Sequence, residues 1–419
     1  MFRENVEFVE DEYSEEFEIP LLLKRSQGRK TIIVRGKSTP LPIVGNIIDD
    51  RDKLLKITGT TGMSELYKAL TDTPPSMEQA FAWNEFSEYY EKVGFTAWEL
   101  GALKYYEKDG GRYLTSSVVV ACADGVCNAS VHRMMILDDR RLVARIVPRH
   151  LYYLLRKALE RGEELPITIL LGAHPLVTLS AATSPALGEF ELTIPSRILQ
   201  EKIAMARSPL HGNPVPLGTS VIVEAVITGE EAPEGPFVDA LCLYDDVRMQ
   251  PVIKVLGVWR LVGENAYYHA ILPSGLEHTI FMGVPREAYV WRTVSRVVPE
   301  VKAVRLTHAG GGWLHAIVSI KKNHDGDAKN AILAAFAGHT SLKHVVVVDD
   351  DIDIDDPQMV EWAIATRFQA DRDLIVFCGA RGSTLDPSAR NGFTCKVGID
   401  ATKPLEGAEK FERGRIPGE

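Results

Sequence analysis

Two periods of apolar residues alternate along this chain. Thr31 to Val34 is a β-branched run of strand type, and Ser64-Glu65-Leu66-Tyr67-Lys68-Ala69-Leu70 opens with a helix-capping residue. From about residue 106 the texture turns strand-rich: Ser116 to Ala121, Met134 to Leu137 and Arg141 to Val147 are separated by Asp-Gly and Asp-Asp turns. Leu151, Leu154, Leu155, Ala158 and Leu159 then fall at helical spacing, Gly162 can end that helix, and Pro166 stops its continuation. Ile167 to Leu171, Ser220 to Ile227 and Leu241 to Tyr244 add strands. After about residue 300 a second α/β unit begins, with a compact strand over Lys343 to Val348. Asp356-Pro357 supplies the N-cap and first turn of a helix through Val360, Ala363, Ile364 and Phe368. The pattern predicts an α/β (α+β) protein of three parts, residues 1–105, 106–300 and 301–419, with residues 407–419 a polar, frayed end.

A chain of 419 residues exceeds what one hydrophobic core serves, which agrees with several domains. A net charge of -10, with no Lys/Arg block interleaved with aromatics, argues against nucleic acid as a partner. The longest apolar runs, Val345 to Val348 and Ile167 to Leu171, have strand length and cannot span a membrane. Glu4, Glu7, Glu10, Asp11 and Glu12 are the reverse of a signal peptide's basic start, so a cytoplasmic protein is expected. Five cysteines without a Cys-x-x-Cys pair read as buried or free thiols of a reducing compartment; Cys122 and Cys127 flank a turn and can approach, and are taken as structural.

The segment Glu234-Gly235-Pro236-Phe237-Val238-Asp239 sets two carboxylates five positions apart around a Gly-Pro bend. Paired acids on a partly apolar turn suit acid/base chemistry, although the same residues also describe an ordinary surface turn. A second segment, Asn128-Ala129-Ser130-Val131-His132-Arg133-Met134, offers an arginine for a carboxylate and an amide for an ion or phosphate. The aspartate run from 349 to 355 fails as an EF-hand. Counted from Asp351, Asp356 stands where Gly is required and Trp362 where a bidentate Glu is needed, so the run reads as a strand end feeding a capped helix. Gly310-Gly311-Gly312 lacks a P-loop tail and reads as a turn.

Taken in order, these segments resemble the UbiD-type decarboxylase family, whose members use prenylated flavin mononucleotide to remove CO2 from unsaturated and aromatic acids. The likeness extends to Asp109-Gly110-Gly111-Arg112-Tyr113, Glu277-His278-Thr279, the aspartate run and Lys396-Val397-Gly398-Ile399-Asp400-Ala401-Thr402, and more loosely to Pro42-Ile43-Val44-Gly45-Asn46. It implies a central split β-barrel carrying the flavin, flanked by α/β domains, the C-terminal one serving oligomer contacts. It implies Asn128, His150 and Glu191 as ligands of Mn2+ or Mg2+ bridging the flavin phosphate, with Glu189 as the alternative to Glu191. Ser130, Val131 and Arg149 would hold the flavin, and Lys396 is either a phosphate contact or a surface lysine. K+ would sit at main-chain carbonyls near Ala129 and Ala181, and His278 would shape the cavity wall.

Within the resemblance, Arg133 grips the substrate carboxylate, contacts the cofactor and links to Glu234, while Asp239, desolvated beside an ionised acid, keeps a proton to donate; the two acids would titrate together. Val238 departs from the family, where Gly is common. Asn128 and Arg133 stand an odd number of residues apart, so a bulge or loop is needed for them to share a site. The implied reaction is non-oxidative decarboxylation of an α,β-unsaturated or aromatic acid, with trans-anhydromevalonate 5-phosphate the first candidate, as in archaeal members, and a 4-hydroxybenzoate-type acid the second. A flavin prenyltransferase would supply the cofactor, and a homo-oligomer, dimer or hexamer, is expected. A flavin-free metal-dependent lyase and a catalytically inactive flavin-binding protein are the rivals from other classes.

Overall fold

The computed structural model describes residues 6–263, 265–414 and 416. The chain divides into two compact units, Met1–Thr61 with Asp72–Phe281, and Gly62–Thr71 with Met282–Glu419. The first hundred residues therefore do not stand apart from the strand-rich region. The division near the C-terminal side falls inside the helix Leu276–Val294, where the sequence pattern places it at residue 300.

The first unit is built on a nine-stranded sheet. Its pairing order is Tyr113–Leu114, Met134–Ile136, Arg141–Ala144, Arg248–Leu261, Val221–Glu234, Leu165–Leu171, Val118–Ala123 and Val126–Val131, with Tyr90–Val93 added on Arg248–Leu261. Every pairing is antiparallel. The strands Met134–Ile136 and Val126–Val131 hold the second and eighth places of that order, yet only His132 and Arg133 join them. A flat sheet would set them roughly 29 Å apart at about 4.8 Å per strand. Three Cα steps reach only about 11 Å. The sheet is therefore rolled into a barrel whose seam lies at residues 132–133, which is the split barrel expected. The break in strand alternation between Asn128 and Arg133 is this seam, not a bulge.

Successive residues of the strands Val221–Glu234 and Leu165–Leu171 divide between two cores: Val221, Val223, Ile167 and Ile169 pack within the barrel with Leu142, Val143, Ile253 and Val255, while Ile222 and Leu170 pack in a second cluster. The helix His150–Glu160 buries Leu151, Leu154, Leu155 and Ala158 on this core, as its spacing predicts. Leu241 to Tyr244 is not a strand: only Tyr244–Asp245 pairs, with Phe237–Val238, and the preceding residues form a turn closed by the Asp239 N–H on the Leu243 carbonyl. The side chain of Asp239 takes the Leu241 and Leu243 N–H groups, which outcompetes strand pairing.

In the second unit a five-stranded mixed sheet runs in the order Glu300–Leu306, His315–Lys321, His344–Asp349, Phe393–Ala401 and Leu374–Arg381. The early helix Met63–Thr71 belongs here: Tyr67 Oη donates to Glu287 Oε2 at 2.7 Å, and Ser64 lies inside the helix instead of capping it. Asp356 caps Pro357–Arg367 by accepting the Gln358 N–H, as its position predicts, and Phe368 falls just beyond the helix. Asp349 and Asp351 both pair with Arg367, which accounts for the start of the aspartate run without calcium. Gly310 to Gly312 form a turn on Thr307 and His308. Ala408–Phe411 is a short 3-10 turn, while residues 415 and 417–419 of the expected frayed end, and Glu4, lie outside the described residues.

The free-thiol reading of the cysteines is overturned, while the expected approach of Cys122 and Cys127 is met. Cys122 pairs with Cys127 and Cys378 with Cys395, leaving Cys242 free and exposed. Each bridge joins neighbouring antiparallel strands; Cys122 and Cys127 are direct register partners across the Asp124-Gly125 turn. Cysteine usage therefore no longer argues for a reducing compartment. Among the described residues no helix is long and apolar enough to cross a membrane.

Candidate active site

The Gly235-Pro236 bend is half-buried and both acids that flank it are buried, which argues against an ordinary surface turn. Glu234 ends the long strand Val221–Glu234 opposite Arg248, the Gly235–Pro236 peptide is cis, and Phe237–Val238 continues on Tyr244–Asp245. Glu234 is 0% exposed and Asp239 8%. The Asp109-Gly110 corner backs the bend. Gly110 N–H donates to the Pro236 carbonyl at 2.8 Å, and a Cβ at Gly110 would lie 2.1 Å from the Gly235 carbonyl oxygen, so only glycine fits. Tyr113 packs on Phe237 with ring centroids 4.3 Å apart, and the Arg133 guanidinium lies 4.7 Å from the same ring.

From the seam, Arg133 donates through Nε and Nη2 to the two oxygens of Glu234, at 2.8 and 2.9 Å, in a fork. Its Nη2 also reaches Asp245 Oδ2 at 3.1 Å. Arg248 bonds the other oxygen of Asp245, and Arg145 Nε lies 3.8 Å from it. Burial chiefly pushes the Asp239 carboxyl above the ordinary range; the N–H groups of Leu241 and Leu243 oppose this, and the charge of Asp245 adds to it. The second carboxylate acting on Asp239 is thus Asp245, not Glu234 as the sequence suggests. Asp245 itself is held low: its burial is outweighed by its bond to Arg248 and the charges of Arg133 and Arg248. Sequence reasoning missed Asp245, Arg145 and Arg248. The available signal, an acid three residues before an arginine, is common to surface pairs.

A second polar cluster lines the strand Val126–Val131. Asn128, Ser130 and His132 alternate onto one face, and Glu191, on the turn Glu191–Thr193, comes to meet them. Asn128 Nδ2 lies 2.8 Å from Glu191 Oε1, and the Ala129 N–H donates to Oε2 at 2.8 Å. His150 Nδ1 lies 3.8 Å from Glu191 Oε1, so the three expected ligands converge. Glu189 faces elsewhere, accepting the Ala186 N–H.

Proton counting tests this cluster for a cation. His132 is neutral, because burial chiefly lowers its basicity, and its Nδ1 faces the Arg145 carbonyl at 3.0 Å. Nδ1 therefore carries the proton and Nε2 accepts from Ser130 Oγ at 2.9 Å. One hydroxyl proton cannot also serve Asn128 Oδ1, 3.0 Å away. Turning the amide over gives Ser130 a donor and presents Oδ1 to Glu191, an arrangement of facing oxygens that a cation between them stabilises. The amide, imidazole and carboxylate donor set fits a divalent ion. The first turn of His150–Glu160, which has no side-chain cap, adds free N–H groups for a phosphate. Among the described residues no group of three His, Cys, Asp or Glu side chains could hold a metal, so the site depends on the Asn128 amide.

The remaining expected residues divide. Val131 ends the same strand, and Arg149 precedes the helix with Nη1 on Ser184 Oγ at 3.3 Å. His278 Nδ1 accepts the Ser274 N–H at 3.0 Å. Lys396 belongs to the second unit, where its buried ammonium donates to the Thr340 and Leu342 carbonyls; it is neither a surface lysine nor a free phosphate contact.

A rolled antiparallel barrel thus carries an Arg-bridged acid cluster at its seam and an Asn-His-Glu set beside it, an arrangement suited to acid/base chemistry on a carboxylic acid. The chain belongs to the UbiD family: residues 82–276 match the 3-octaprenyl-4-hydroxybenzoate carboxy-lyase Rift-related domain and 279–401 the C-terminal domain of the same carboxy-lyase. Anhydromevalonate phosphate decarboxylase of Aeropyrum pernix is 50% identical over 413 residues, covering 97% of this chain and 92% of that protein. The UbiD-class enzyme HmfF from Pelotomaculum thermopropionicum, solved with FMN, superposes with a TM-score of 0.93 at 35% identity over 99% of this chain and 95% of that one. An evolved dimeric form of that enzyme, solved with prFMN, gives 0.89 at 33% identity with the same coverage.

Proposed function

We propose that this chain decarboxylates anhydromevalonate phosphate with prenylated FMN as cofactor. The observation that carries the reading is 50% identity over nearly the whole length to the Aeropyrum pernix decarboxylase, with Arg133, Glu234 and Asp239 gathered at the barrel seam. When bound, the flavin supplies an electron sink for the pair left as CO2 departs. Arg133, fixed by its fork to Glu234, keeps one guanidinium edge toward the substrate carboxylate and orients it. Asp239, whose carboxyl is raised above the ordinary range chiefly by burial and further by Asp245, delivers the proton to the carbon that has lost CO2. Tyr113 and Phe237 keep water from the acids. Asn128, His150 and Glu191 would hold Mn2+ or Mg2+, Ser130, Val131 and Arg149 would steady the flavin, and carbonyls near Ala129 and Ala181 would take K+. A flavin prenyltransferase supplies the cofactor, and the enzyme works as a homo-oligomer.

The test is expression together with a flavin prenyltransferase, mass spectrometry of the released flavin, and CO2 release from anhydromevalonate phosphate and from 4-hydroxybenzoate. Prenylated FMN and turnover of the phosphorylated acid are expected. Turnover of 4-hydroxybenzoate alone would overturn the substrate, and well-folded, metal-loaded protein without flavin would overturn the cofactor.

A further inference from the structure

Arg145 is placed with care and given little to do. Its N–H donates to the Arg133 carbonyl at 3.3 Å and its own carbonyl accepts from His132, so the backbone is pinned on both sides between the two polar clusters. Its guanidinium is 19% exposed, and its one ion pair among the described residues, to Asp245 at 3.8 Å, is beyond hydrogen-bond reach. Arg248, 32% exposed, shares the same acid. Three guanidiniums, Arg133, Arg145 and Arg248, thus surround two carboxylates, Glu234 and Asp245. The fork to Glu234 occupies much of Arg133, so the unspent N–H groups lie at Arg145 and Arg248. A guanidinium with unspent N–H groups beside a second one suits a tetrahedral dianion.

We infer that Arg145 and Arg248 bind the phosphoryl group of the substrate, Asp245 acting as an internal anion that keeps the two forks aligned until it arrives. The inference rests on the decarboxylase reading for the identity of the acid, and names the residues that distinguish a phosphorylated acid from an unphosphorylated one. Specificity arises because an acid without phosphate leaves the forks with Asp245 alone, whereas the dianion gains charge-assisted bonds from both.

The test uses flavin-loaded enzyme and calorimetric binding of anhydromevalonate phosphate and the same acid without its phosphate, in the wild type and in Arg145→Gln, Arg145→Lys and Arg248→Gln. Competition by inorganic phosphate is measured alongside. We expect the preference of the wild type for the phosphorylated acid to fall about 10- to 100-fold in Arg145→Gln, with partial recovery in Arg145→Lys and a matching loss of inhibition by inorganic phosphate. Should Arg145→Gln not fold, as flavin content reveals, Arg145→Lys and Arg248→Gln carry the same expectation in smaller measure. A preference that survives these substitutions, or equal weakening for both acids, overturns the inference while leaving the decarboxylase reading intact. If the wild type binds the phosphorylated acid through Arg145 but never releases CO2 from it, the substrate reading falls and the phosphoryl site stands.

Discussion

Replacing Glu234 by Gln keeps the shape of a side chain that is 0% exposed and removes the charge that holds Arg133. Two charge-assisted bonds are lost, at 2.8 and 2.9 Å. Each is worth about 1.5–3 kcal/mol, and the amide oxygen restores roughly 1 kcal/mol of neutral bonding. Arg133 retains Asp245 at 3.1 Å, so the guanidinium is not left without an anion. The difference is roughly 2–5 kcal/mol, and the retained Asp245 contact keeps the net cost toward its lower part, roughly 2–4 kcal/mol, less than that of an orphaned buried charge. At about 2 °C per kcal/mol for a domain this large, the melting midpoint falls roughly 4–8 °C. Because the amide NH2 turns a donor toward Arg133, the guanidinium shifts and the substrate carboxylate is misplaced; CO2 release should drop about 10²- to 10⁴-fold with flavin still bound. Thermal melts, flavin absorbance and CO2 release on the same preparation separate these effects, with Glu231→Gln, exposed on the same strand, as the unaffected control. Normal turnover with a midpoint within about 1 °C of wild type would refute both roles of the fork.

Three further outcomes are expected. Glu191→Gln should lose metal and flavin together, read by elemental analysis and absorbance, whereas Glu189→Gln should keep both, since only Glu191 meets Asn128 and His150. The raised carboxyl of Asp239 gives turnover a descending limb on the alkaline side as its proton is lost, and the residual rate of Asp239→Asn should lack that limb in a pH profile. The sign for stability is the same: because the folded state favours the protonated form, the contribution of Asp239 declines as pH rises from about 3.9 through its raised folded value. Gly110→Ala must push the Gly235 carbonyl aside, costing about 1–3 kcal/mol in chemical denaturation and a larger share of activity, because the displaced bend carries both acids.

Local chemistry made much of this protein legible from its residues. Asp356-Pro357 starts a helix wherever it stands before a helical stretch, Gly310 to Gly312 turn, and the Leu151 to Ala158 spacing finds an apolar face. The order of the motifs was enough to mark the family, and the candidate residues Asn128, Arg133, His150, Glu191, Glu234 and Asp239 could be named one by one. What no local pattern contains is the rolling of the sheet, which joins its second and eighth strands at residues 132–133 and brings Arg133 to Glu234, 101 positions away. Register across the barrel also selected Asp245 over Glu234 as the charge acting on Asp239, and set Cys122 against Cys127. The turn at Leu241 to Leu243 went to the Asp239 side chain because its carboxylate could take two N–H groups once buried. Sequence determined which groups were available; pairing register and closure, which depend on contacts far apart in the chain, determined which of them meet.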